Sequence, residues 1–142
     1  MKKYQLTLLA LCVTAFTQAK VTLPSFFTDN MVIQQNSLLT LPGEAKAGKQ
    51  VTVKVSWNNK KYTVKAAADG KFKIEVPTPS AGGPFQIIIS DGEKLTLNNV
   101  MAGEVWFCSG QSNMEMPVAG WGKVMNYEQE IADANYPSIR LL

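Results

Sequence analysis

Apolar and polar residues alternate one by one along several short stretches between residues 20 and 99. A strand with one buried and one solvated face produces this period of two, because successive side chains point to opposite faces of a sheet. The pattern predicts at least three short strands. Their inward residues would be Val51, Val53, Val55 and Trp57 in the first, Tyr62 and Val64 in the second, and Phe72, Ile74 and Val76 in the third.

Turn signals separate these stretches. Asn58 and Asn59 suit a two-residue hairpin, because asparagine tolerates a positive φ. The pairs Asp69-Gly70 and Asp91-Gly92 repeat the signal. Several short strands at this spacing favour a small antiparallel β-sandwich over residues 20–99.

The pattern changes near Val100. Residues 105–108 form a continuous apolar run, which is typical of a strand that is covered on both faces. A helix is predicted over about residues 126–134, because Tyr127, Ile131 and Ala134 recur at helical spacing. A second strand is predicted to begin at Ile139. Strand, loop, helix and strand in this order indicate the first, incomplete unit of an α/β domain over residues 100–142, so that the chain would be truncated inside its second domain.

The first 19 residues have the pattern of a secretory signal peptide. Lys2 and Lys3 precede an apolar run over residues 6–16, and Ala19 ends a small-residue cleavage signal. The run is too short and wrongly flanked for a membrane span, although a buried first strand or helix is an alternative. The expected location is therefore the periplasm or the extracellular space.

Composition excludes some classes of function. Of the 14 basic residues, 12 remain without Lys2 and Lys3, and they face 11 acidic residues. This balance provides no electrostatic footprint for nucleic acid. After cleavage Cys108 would be the one remaining cysteine, so no intramolecular disulfide is expected. The chain contains no histidine, which argues against a zinc site, and no cofactor is predicted.

Ser112 is the candidate for chemistry. It follows the apolar run within the segment Ser-Gly-Gln-Ser-Asn, and a tight turn after a buried strand would expose its hydroxyl. The end of a parallel strand is also where α/β proteins bind ligands. Taken alone, however, a serine in a polar turn is more often structural. A serine nucleophile needs a base, usually histidine, so the 142 residues alone are expected to be inactive.

Four segments together resemble the N-terminal part of bacterial sialate O-acetylesterases, which are carbohydrate esterases of the SGNH/GDSL hydrolase superfamily. They are FFTDNMVIQQ (residues 26–35), AGGPFQIII (81–89), GEVWFCSGQSNMEMPV (103–118) and YPSIRLL (136–142). The resemblance covers nearly the whole chain after residue 19. One departure is the sequence Leu41-Pro42-Gly43, where many relatives have Val-Trp-Gly.

The resemblance implies that Ser112 is the catalytic nucleophile of an SGNH-type domain. The implied function is removal of O-acetyl groups from sialic acids by serine-dependent acyl transfer, with acetylated sialic acid as the substrate. The family supplies its catalytic histidine and further oxyanion donors from later blocks. An esterase that acts on acetylxylan or another acetylated glycan is an alternative.

Other residues near Ser112 have weaker claims. Gln111 and Asn113 are expected to support the loop or to contact substrate. Trp121 could stack on a sugar or anchor the loop. Cys108 is expected to be a buried, inert thiol, because it ends an apolar strand without a basic neighbour. Glu115 and Lys123 are better explained as a loop contact and a solvated cation.

A non-catalytic carbohydrate-binding fragment is the alternative from another class. The aromatic side chains that could form its binding platform are Trp57, Tyr62, Phe72 and Phe85. Their alternation with polar residues predicts instead that they belong to the core, whereas an exposed row of them would favour the binding fragment.

Export is the first testable consequence. Expression in a Gram-negative host is expected to yield an exported protein that begins at Lys20, because Ala19 completes the cleavage signal. N-terminal sequencing of the periplasmic fraction checks this. A soluble cytoplasmic product that retains residues 1–19 would contradict it.

Overall fold

The computed structural model describes residues 20–141 and is mostly β. Its strands are β1 (Val32–Gln34), β2 (Leu38–Glu44), β3 (Gln50–Val55), β4 (Lys61–Lys65), β5 (Lys71–Pro77), β6 (Gly82–Ser90) and β7 (Lys94–Gly103). A 3₁₀ helix (Ser112–Glu115) and the short helix α1 (Tyr127–Asp133) follow. The predicted signal peptide lies outside the described residues. None of the helices within residues 20–141 is long and apolar enough to cross a membrane.

The strands form two sheets. Five of them make a mixed sheet in the order β1-β7-β6-β3-β4, and β2 pairs with β5 in a separate antiparallel sheet. All pairs are antiparallel except β1 and β7, which run parallel with Val32 opposite Met101 and Gln34 opposite Gly103. The prediction of antiparallel strands is therefore correct for every pair but this one, which joins stretches almost 70 residues apart.

One apolar cluster combines residues from both sheets. Alternation sorts the side chains as predicted, so that Val51, Val53 and Val55 of β3 are fully buried while the residues between them are not. Each fully buried aliphatic side chain contributes about 1.5–3 kcal/mol to folding. The other fully buried large side chains are Leu41, Val76, Ile87, Ile89 and Val100.

The predicted hairpin between β3 and β4 is confirmed, but the prediction that its loop has two residues is wrong. Strand β3 ends at Val55, and residues 56–60 form the connection with Asn59 in the left-handed region at φ 55°. Trp57, predicted as a strand residue, lies in this connection, where its indole N–H donates to the Pro77 carbonyl at 3.0 Å and its ring packs edge-to-face on Phe85 at 5.6 Å. The turns at Gly70 and Gly92 are confirmed, both with positive φ.

The predicted aromatic residues do belong to the core. Phe72 is buried, and Trp57, Tyr62 and Phe85 pack against the central cluster. They form no exposed row, and such a row was the feature that would have favoured a carbohydrate-binding fragment.

The part of the chain after Gly103 departs most from prediction. Residues 105–108 form no strand, and Trp106 and Phe107 are 82% and 95% exposed. Strand β1 ends opposite Gly103 and β6 begins opposite Ala102, so neither neighbouring strand continues beside the residues that follow β7. The described residues from Ile139 onward form no strand either. Helix α1 matches the predicted helix closely, although none of its residues is buried.

The core provides a test with an internal control. Leu41 and Leu38 both lie in β2, but Leu41 is fully buried and Leu38 is 60% exposed. Leu41→Ala is expected to lower the free energy of unfolding by about 2–5 kcal/mol, the usual cost of truncating a buried leucine. Leu38→Ala should change it by less than about 0.5 kcal/mol. Urea unfolding followed by circular dichroism measures both, and equal losses would contradict the assigned faces of β2.

Candidate functional site

Ser112 is the first residue of the 3₁₀ helix. The Met114 N–H donates to the Gln111 carbonyl at 2.9 Å, and the Met116 N–H donates to the Asn113 carbonyl at 3.3 Å. These bonds curl the chain tightly, and Ser112 is exposed. The predicted tight turn that presents the serine to solvent is therefore present, although it follows an exposed stretch without regular secondary structure rather than a buried strand.

Gly110 has a packing reason to be glycine. A Cβ at this position would lie 3.2 Å from Met114 Cγ, which is closer than most real contacts. The Met114 side chain thus lies against the backbone just before the serine turn. A larger residue at position 110 would have to displace it.

Gln111 and Asn113 contribute backbone carbonyls to the turn. Both side chains are exposed. Trp121 lies between Gly120 and Gly122, both with positive φ, and is 53% exposed. The structure therefore groups Gln111, Ser112 and Asn113 in one turn, and it places Trp121 on a separate glycine-flanked loop.

Cys108 is exposed, so the prediction of a buried thiol is wrong. The prediction required residues 105–108 to be a covered strand, and they are exposed and without regular secondary structure. Lys123 is exposed, as expected for a solvated cation, and Glu115 is exposed as well.

The part of the chain that the structure describes does not assemble a complete catalytic set around Ser112. The whole sequence contains no histidine. No group of three or more metal-ligating side chains occurs within residues 20–141. What this region provides is a serine hydroxyl on an exposed turn.

Glu104 ties the start of the serine-bearing segment to the sheet. Its two carboxylate oxygens accept hydrogen bonds from Gln34 Nε2 at 3.0 Å and Gln35 Nε2 at 2.7 Å. Gln34 Oε1 in turn accepts from the Val105 N–H at 3.0 Å. Gln35 Oε1 accepts from the Ala81 N–H at 2.8 Å. We call Glu104, Gln34 and Gln35 the Glu104 clamp.

The clamp favours the ionised carboxylate. The hydrogen bonds from Gln34 and then Gln35 lower the pKa of Glu104 below its usual value of 4.5. Sequence reasoning missed these three residues, although all of them lie inside the segments that carry the family resemblance. Their chemistry becomes visible only when β1 is placed beside β7.

Comparison with known proteins gives a consistent result. The chain is 32% identical over 128 residues to the sialate O-acetylesterase of Rattus norvegicus and 31% identical over 129 residues to that of Homo sapiens. These matches cover 82% and 83% of the chain. A carbohydrate acetylesterase from Xanthomonas citri matches 82% of the chain with a TM-score of 0.70 and 33% identity. No protein-family model matches the chain.

The chain spans only about a quarter of each relative: 23% of the rat protein, 24% of the human protein and 26% of the bacterial structure. The shared stretch nevertheless includes the serine turn. A match to 82% of 142 residues is about 116 residues, and a continuous stretch of that length contains Ser112 wherever it begins. Over this part of the relatives, the resemblance to the sialate O-acetylesterase family is confirmed.

The Glu104 clamp generates a prediction with a defined pH dependence. Glu104→Gln is expected to lower the midpoint of thermal unfolding at pH 7, because an uncharged amide cannot accept two hydrogen bonds as strongly as a carboxylate. The folded pKa of Glu104 is depressed, so the clamp's contribution is full above the usual pKa. It is lost as the pH falls through the folded pKa, and the difference between the two proteins should shrink there.

Glu115→Gln is the matched control, because it removes the same charge from an exposed position in the same segment. Thermal melts of the three proteins from pH 7 to pH 3 provide the measurement. If the difference in unfolding midpoint between the parent protein and Glu104→Gln stays constant over this pH range, the Glu104 carboxylate is not held by Gln34 and Gln35 as described.

Proposed function

We propose that this chain, a relative of the sialate O-acetylesterases, is part of a serine-dependent carbohydrate O-acetylesterase in which Ser112 is the nucleophile. The observation that carries the proposal is the match to proteins of that name over a stretch that includes the serine turn. The exposed position of Ser112 at the start of a 3₁₀ helix is compatible with nucleophilic attack.

In the proposed reaction, Ser112 Oγ attacks the acetyl carbonyl carbon and loses its proton to a base. The bond from that carbon to the sugar oxygen then breaks, and the sugar leaves as an alcohol after it receives the proton. Water hydrolyses the acetyl-enzyme and releases acetate. The backbone N–H of Ser112 is a candidate donor to the oxyanion, because the first N–H groups of a helix have no partner within it.

The usual base, a histidine, is not among the 142 residues. Family resemblance assigns the histidine and the other oxyanion donors to blocks that this chain does not contain. We therefore propose that activity belongs to a longer protein, of which residues 20–99 form a β-sandwich domain and residues 100–142 begin an SGNH-type domain. The core shared by the two sheets supports the first assignment.

The proposed substrate is an O-acetylated sialic acid. The names of the rat and human relatives favour it. The bacterial structure is titled only a carbohydrate acetylesterase, which keeps another acetylated glycan, such as acetylxylan, as the second candidate. Rates of acetate release from acetylated sialic acid and from acetylxylan separate the two. We also propose a periplasmic or extracellular location, on the evidence of the first 19 residues.

The nucleophile is tested in the full-length enzyme. Ser112→Ala is expected to lower kcat for deacetylation at least about a thousandfold, because the covalent route is lost, and to leave folding unchanged. Cys108→Ala is the control, since it removes the rival nucleophile four residues away and should leave turnover unchanged. Acetate release and circular dichroism measure the two effects. Activity that survives Ser112→Ala but is abolished by Cys108→Ala in a folded protein would overturn the assignment.

A further inference from the structure

Arg140 returns the end of the described chain to the first sheet. Its Nη1 donates to the Asn30 carbonyl at 2.9 Å and also to the Asn99 carbonyl. Its Nη2 donates to Asn99 Oδ1 at 3.1 Å. One guanidinium therefore binds three oxygens on two residues that are distant from it in sequence. We call Arg140, Asn30 and Asn99 the Arg140 clamp.

Asn30 and Asn99 form a preorganised binding site for the Arg140 side chain. Both have a positive φ, 67° for Asn30 and 54° for Asn99, which is uncommon for residues other than glycine. Asn99 Nδ2 donates to Asn30 Oδ1 at 2.8 Å, so the amides hold each other in place. The oxygens that face Arg140 only accept hydrogen bonds, and a guanidinium only donates them.

The Arg140 clamp lies at one end of the stretch of chain that contains the serine turn. The residues between the two clamps, 105–139, include the serine turn, and we call them the Ser112 segment. The segment begins beside the Glu104 clamp and ends beside the Arg140 clamp, and the two clamps lie at opposite ends of the β1–β7 pairing. No residue of the segment is buried. Its placement on the sheet therefore rests on polar contacts at its two ends rather than on a shared core.

We propose that Arg140 is a positioning residue that fastens the Ser112 segment to the β1–β7 edge and thereby helps to hold Ser112 in place for catalysis. The catalytic part of this inference rests on the proposed function, whereas the clamp itself does not. The β strands are then part of the framework of the active site and not a separable binding module.

The clamp requires an arginine specifically. A lysine at position 140 would keep the positive charge, but it lacks the planar fork that reaches the Asn30 and Asn99 oxygens together. Asn99→Gly is an independent disruption. It keeps the positive φ, which glycine adopts freely, and removes the Oδ1 acceptor. Asn59→Gly makes the same change at another asparagine with positive φ, in the loop between β3 and β4, and is the matched control.

The first experiment uses the 142-residue chain and does not depend on any activity. Nuclear magnetic resonance of the Arg140 guanidinium should show slowly exchanging Nη protons in the parent chain and in Asn59→Gly. Asn99→Gly should lose the slow exchange of the Nη2 protons, which donate to Asn99 Oδ1 in the parent chain. The Ile139 amide donates to the Tyr136 carbonyl at 2.9 Å beside the clamp. Its hydrogen exchange should accelerate about tenfold in Arg140→Lys, as expected for loss of a hydrogen bond to a charged group.

The second experiment measures catalysis in the full-length enzyme. Arg140→Lys is expected to lower kcat about tenfold and to change KM less than about twofold, because a displaced nucleophile reacts slowly even when the substrate is bound. The unfolding midpoint is measured alongside to confirm that the variant is folded. Lys123→Ala removes a cation from the same segment without touching the clamp, and it should change neither constant.

The outcomes separate the clamp from the proposed function. Fast-exchanging Arg140 protons in the parent chain would overturn the clamp. A lost clamp with unchanged kcat would overturn the positioning role, and a rise in KM alone would assign Arg140 to substrate binding instead. A full-length parent without esterase activity would refute the proposed function and with it the catalytic role. In that case the magnetic resonance experiment alone would test whether Arg140 holds the Ser112 segment to the β1–β7 edge.

Discussion

The parallel pairing of β1 with β7 is the constraint on which the arrangement around Ser112 depends. Its register sets Val32 opposite Met101 and Gln34 opposite Gly103. Because the two strands run in the same direction, residues just before β1 lie beside Asn99, and residues at its end lie beside Glu104. A three-residue strand thus has one polar clamp at each end. An antiparallel pair in the same place would have exchanged these neighbours.

Two kinds of force act on the two parts of the chain. The strands share an apolar core, where burial of many aliphatic side chains gives most of the stability. The Ser112 segment buries none of its residues and is attached through the carboxylate of Glu104 and the guanidinium of Arg140. Charge-assisted hydrogen bonds are directional, so they determine position even where they contribute little to the total stability.

The same division explains how the proposed chemistry relates to the fold. The serine turn is a local structure, closed by two backbone hydrogen bonds and by the contact of Met114 with Gly110. A nucleophile on such a turn needs a base and oxyanion donors from elsewhere, and its relatives are about four times as long as the shared stretch. Apolar side chains such as Trp106, Phe107 and Ile139 are exposed in the part described, and in the proposed longer protein we expect further residues to pack against them.

The sequence by itself determined the features that depend on neighbours along the chain. Alternation identified the buried faces of β3 and β5, helical spacing identified α1, and asparagine and glycine marked the turns with positive φ. The serine turn was likewise predictable, because its geometry is set within six residues. Only the tertiary structure decided the parallel β1–β7 pair, the exposure of residues 105–108 and the partners of Glu104 and Arg140. Each of these depends on which distant backbone or side-chain group is within hydrogen-bonding distance, and no local pattern of apolar and polar residues contains that information.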